Sequence, residues 1–97
     1  MAIIFRESRK MGNFIAHMKI QTVSKDNNRP DGYKVNFVLV DLRTMMPVLI
    51  VDNHKPFGYH LHPDAKEDHS NRIELQVDSP YEALEIFLEK AKELSDG

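Results

Sequence analysis

Over residues 14–24, 33–40 and 72–77, apolar side chains return at every second position. That period belongs to a strand with one buried face, because successive strand side chains point to opposite sides. In the first segment Phe14, Ala16, Met18 and Ile20 share one side, while His17, Lys19 and Gln21 share the other. In the second, Tyr33, Val35, Phe37 and Leu39 alternate with Lys34, Asn36, Val38 and Val40. Its later half is apolar on both sides, which suits a central strand. Val48–Val51 is a continuous apolar run of the same kind. Residues 2–9 read as a short strand with Ile3 and Phe5 on one face and Arg6 on the other. Ile73, Leu75 and Val77, set against Glu74 and Gln76, complete the set.

Turn chemistry separates these runs. Gly12-Asn13 is a turn signal. Residues 25–32 form a polar loop too long for a tight hairpin, and Arg43–Pro47 makes a short connection. Only after Ser79 does the period change. Ser79-Pro80-Tyr81-Glu82 has capping-box spacing, with proline at the first helical position. Tyr81, Leu84, Phe87, Leu88, Ala91 and Leu94 then form a stripe at helical spacing. Glu82, Glu85 and Glu89 suit the positive N-terminal half of that helix, and Lys90 and Lys92 its negative end. The expected architecture is α+β: an antiparallel β-meander of about five strands with a C-terminal α-helix packed on one face. At this length, 1–97 reads as a single domain.

Composition narrows the chemistry. The chain has no cysteine, which excludes disulfides, thiolate metal sites and a cysteine nucleophile. A formal charge of −2 argues against coating nucleic acid through bulk charge and leaves room for a local basic patch. No run approaches the length of a membrane span, so no membrane association is expected. The sequence MAIIFRESRK places its charges after a short apolar run, the reverse of a signal peptide, and the expected location is cytoplasmic.

Of five histidines, four lie between positions 54 and 69: His54, His60, His62 and His69. Histidine is the side chain whose ordinary titration falls near neutral pH. Asp52 and Asn53 fit a strand end. Pro56 and Gly58 break regular structure and put His54 on an irregular loop. If Tyr59–Leu61 resumes extended geometry, His60 and His62 point the same way.

Three functions fit the segment. Two histidines can act as general base and acid on an RNA phosphodiester, one taking the 2′-hydroxyl proton and the other protonating the leaving 5′-oxygen. Lys55, Arg6 or Arg72 would stabilise the charged transition state, and Tyr59 would stack a base. This chemistry needs no metal and no cofactor. Alternatively His60 and His62 are metal ligands, completed by His54, His69, Asp64 or Asp68, although the spacing is no standard zinc signature. Third, Phe57 and Tyr59 anchor a protein partner in a docking module without catalysis. Against all three stands the common surface histidine with no role. His17 reads as a solvated strand residue, His69 as part of a polar loop, and Met45-Met46 as core or turn filling.

The order and spacing of these residues resemble the TumE-type toxin proteins of bacterial and archaeal toxin–antitoxin pairs. The resemblance runs through Phe5-Arg6-Glu7, the strand Phe14–Ile20, Tyr33-Lys34-Val35-Asn36-Phe37, Val51-Asp52-Asn53-His54, the pair His60 and His62, Ile73-Glu74-Leu75 and the helix Glu82–Leu88. It covers nearly the whole chain. Where many members carry further glycine and histidine, this chain has Lys55-Pro56-Phe57-Gly58-Tyr59. The resemblance implies a helix-turn-helix antitoxin as partner and a growth-inhibiting role. The residues themselves, rather than the resemblance, set the expected site, with His60, His62 and His54 as catalytic residues. Asp52, Asn53, Lys55, Phe57, Tyr59, Arg6 and Arg72 shape and bind around them. Exposed sheet edges leave room for a homodimer.

Overall fold

The computed structural model describes residues 2–25, 32–54, 58–62, 73–77 and 79–96. Six strands run in chain order: β1 (Ala2–Met11), β2 (Phe14–Thr22), β3 (Tyr33–Asp41), β4 (Met46–His54), β5 (Gly58–His62) and β6 (Ile73–Glu74). They form one antiparallel meander in the order β1-β2-β3-β4-β5-β6, followed by the helix α1 (Pro80–Asp96). The expected α+β architecture is thus observed, with β5 as the strand added to the expected set. The doubly apolar segments, β3 and β4, occupy the centre of the sheet as their patterns required.

The helix covers one face. Beneath it lie Phe14, Ala16, Met18 and Ile20 of β2, Val35, Phe37 and Leu39 of β3, Leu49 and Val51 of β4, and Leu61 of β5. Phe87 reaches the centre of this layer, its ring 5.6 Å from that of Phe37. Ser79 caps the helix, its Oγ accepting from the Glu82 amide at 3.2 Å. The buried stripe is Pro80, Ala83, Leu84, Phe87 and Ala91. It is rotated from the expected one, so that Tyr81 and Leu94 are largely exposed. Ala83 and Ala91 are fully buried in this interface, so the buried side of the helix is centred on small residues and Phe87.

Local details also depart from the simple alternation. The β1–β2 register slips between Ile3 and Phe5. Ile3 therefore pairs with Gln21 and Phe5 with Ile20, which puts the two on opposite faces rather than on one. A bulge of this kind bends an edge strand and discourages edge-to-edge pairing. Gly12 takes a positive φ of 62° in the two-residue turn to β2, as a type II′ hairpin requires.

The β3–β4 turn is built on Asp41, whose carboxylate accepts from the Arg43 amide at 2.9 Å and from its guanidinium at 3.0 and 3.1 Å. Those hydrogen bonds, then the charge, raise the Arg43 pKa further above its usual value. The turn leaves Met45 at φ 61°, a left-handed conformation for a side chain that is 69% exposed. A left-handed L-residue costs about 1–2 kcal/mol. Met45→Gly should therefore stabilise the protein by roughly 0.5–1 kcal/mol after glycine's own entropy cost. Thermal melting should show a rise of several degrees.

Candidate functional site on the open face of the sheet

The face turned away from the helix carries the polar half of each alternation. Cross-strand register lays its residues out in rows. One row runs Arg6, Lys19, Asn36, Asp52, His60 and Glu74 from β1 to β6. The neighbouring row runs Ser8, His17, Val38, Ile50 and His62 from β1 to β5. Strand pairing thus brings Asp52, His60 and His62 together on one surface, whereas Arg6, expected beside the histidines, stands on the same face four strand steps from His60, about 19 Å at the usual strand spacing.

His60 and His62 lie side by side on β5, their ring centroids 5.0 Å apart and the planes at 82°. His60 is buried, at 4% exposure, and its Nδ1 lies 2.8 Å from the Gly58 carbonyl oxygen. A carbonyl only accepts, so Nδ1 carries the proton in this bond and Nε2 is the lone-pair nitrogen of the neutral ring. A tautomer fixed in this way prepares a histidine for acid–base work or for ligation. The Gly58 carbonyl makes this contact, while the Asp52 carboxylate, opposite His60, accepts from the Asn53 amide at 2.7 Å.

Asn53 and Tyr59 face the other way. Tyr59 is half-buried against the core. Asn53 is buried where the β3–β4 ladder ends: its Oδ1 accepts from the Val35 amide at 2.9 Å and its Nδ2 donates to the Tyr33 carbonyl at 2.8 Å. The side chain continues the strand pairing beyond the last backbone partners. Asn53→Ala leaves both backbone groups without these partners and should cost about 1–3 kcal/mol. Denaturant unfolding would measure it as a lower midpoint.

His54 corrects one expectation. It is the last residue of β4, paired with Gly58, and so belongs to a strand rather than an irregular loop. Gly58, read in sequence as a breaker, opens β5 instead. Lys55, Phe57 and Arg72 lie outside the described residues, as do His69, Asp64 and Asp68. Among the described residues no three histidine, aspartate or glutamate side chains gather as metal ligands. Nor is any described helix long and apolar enough to cross a membrane.

The sequence reading set His17 aside, yet it stands on the same face as His62. Its Nδ1 lies 2.9 Å from Ser8 Oγ. The open face of β1–β3 also carries Arg6, Lys10, Lys19 and Lys34, with no acidic side chain on that face of the three strands among the described residues. The open face is thus divided: basic over β1–β3, with histidines and carboxylates over β4–β6. The signal was available in the alternation itself, since every one of these cations falls on the polar side of its strand. No family model, curated protein or solved structure matches the chain.

Proposed function

We propose that this chain is the toxin of a toxin–antitoxin pair and acts as a metal-independent ribonuclease on single-stranded RNA laid across the open face. The observation that carries the reading is the adjacent His60 and His62, one with its tautomer fixed, on a surface whose other half is basic. The resemblance to TumE-type toxins supplies the biological setting.

In this mechanism Nε2 of His60 takes the 2′-hydroxyl proton. The 2′-oxygen attacks phosphorus and the bond from phosphorus to the 5′-oxygen breaks. His62 gives a proton to that leaving oxygen. The products are a 2′,3′-cyclic phosphate and a 5′-hydroxyl. The basic strands hold the RNA backbone, because cationic side chains dominate affinity for phosphates. The setting is the cytoplasm, with a helix-turn-helix antitoxin as partner.

Growth tests the toxin half of this reading. Inducing the parent chain alone in a bacterium should arrest growth, and a folded His62→Ala variant should not. Unaltered growth in cells that accumulate the parent protein would contradict it.

A further inference from the structure

A depression lies at the basic end of the open face. Arg6, Ser8, His17, Lys19 and Asn36 line this depression of about 200 Å³ between β1, β2 and β3. Arg6 and Lys19 are direct cross-strand partners. Like charges in that position weaken a strand pair. Among the described residues neither has an ion pair to offset the repulsion. Glu7, also at the rim, belongs to the helix-side alternation of β1 and is paired with Arg9. The fold thus holds two cations together without using them. An anion seated between them would turn that repulsion into attraction.

His17 fits the same ligand. Its contact with Ser8 orients the ring. When the Ser8 hydroxyl donates to Nδ1, Nε2 carries the proton and is a donor at the far end of the ring. In the imidazolium, Nδ1–H donates to Ser8 and Nε2–H is again a donor. Both states suit a phosphate oxygen. The Asn36 side chain, next in the row after Lys19, adds an amide donor beside the cations.

We propose that Arg6, His17 and Lys19, supported by Ser8 and Asn36, form a phosphate subsite that holds the RNA backbone away from the bond being cut. The identity of the ligand rests on the ribonuclease reading. Register fixes the separation: His17 and His62 share a row and are three strand steps apart, about 14 Å at the usual strand spacing. An extended single strand crosses that distance in a few nucleotides, over the half-buried Val38 and Ile50. Short RNA would fill the histidine end alone, and longer RNA would reach both.

The test uses the His62→Ala protein, so that RNA is bound and not consumed, with a dinucleotide and an octanucleotide as probes. The octanucleotide should bind more tightly. Adding Arg6→Gln and Lys19→Gln should lower its affinity about tenfold or more. It should also flatten the dependence of log K on log salt by about 0.7 per charge removed. Dinucleotide affinity should change less than twofold. His17→Gln should weaken octanucleotide binding on its own, and circular dichroism would check that each variant is folded. Octanucleotide affinity and salt slope unaltered by these substitutions would overturn the subsite, as would failure of the octanucleotide to bind. Cleavage by the parent protein is measured separately. RNA that binds in this pattern but is never cut would sustain the subsite and sink the ribonuclease reading.

Discussion

On the proposed ribonuclease mechanism, His62→Ala should lower the rate of RNA cleavage by roughly a hundred- to ten-thousand-fold, the range spanned by loss of a general acid or base. The fold should survive. His62 is only half-buried and faces away from the helix, so its removal leaves the core untouched. His60→Ala is a less clean experiment. That ring is buried and bonded to the Gly58 carbonyl, and its loss would disturb the β4–β5 hairpin as well as the chemistry. The informative comparison is therefore the cleavage rate of His62→Ala against the parent at matched thermal stability. A folded variant that cuts as fast as the parent would remove His62 from the mechanism.

Phe87→Ala should be the most damaging single change to the fold. Phe87 is fully buried and its ring meets Phe37 at the centre of the helix–sheet interface. Truncating such a residue costs about 3–5 kcal/mol, against a total stability of about 5–15 kcal/mol for a domain of this kind. Each kcal/mol is worth about 4–8 °C at this size, so the melting temperature should fall by some tens of degrees. Tyr81→Ala, on the same helix, should change it little, because Tyr81 is 50% exposed. Equal losses from the two substitutions would contradict the helix orientation described here.

That pair of residues also shows where sequence pattern stops. Tyr81 and Phe87 both fit an apolar stripe at helical spacing, and nothing in the spacing separates them. What does is the face the helix turns to the sheet, on which Ala83 and Ala91 are fully buried beside Phe87, a property of the interface and not of hydrophobicity. The sheet was more legible. Strict alternation in β2 and β3 specified their faces, and doubly apolar runs specified a central position. The bulge at Ile3 and Phe5 was not legible, since one extra residue reverses a face without altering composition.

The candidate site divides in the same way. Alternation was enough to put His60 and His62 on one side. It was not enough to show that Asp52 and Arg6 belong to the same row, because a row is set by register across several strands. Nor could it show that Asn53 closes the β3–β4 ladder with its amide. His17 was passed over for a related reason. Taken along the chain it is one polar residue among several on β2, and only its pairing with Ser8, beside the Arg6–Lys19 pair, gives it a setting.

The proposed chemistry is RNA cleavage by the histidine pair on the open face, without a metal. The most direct measurement is cleavage of an end-labelled single-stranded RNA by purified protein in the presence of a chelator, with His62→Ala purified identically beside it. The parent should give fragments ending in 2′,3′-cyclic phosphate, and the variant should leave the RNA nearly intact. Intact RNA with the parent after long incubation, or equal cutting by both proteins, would contradict it.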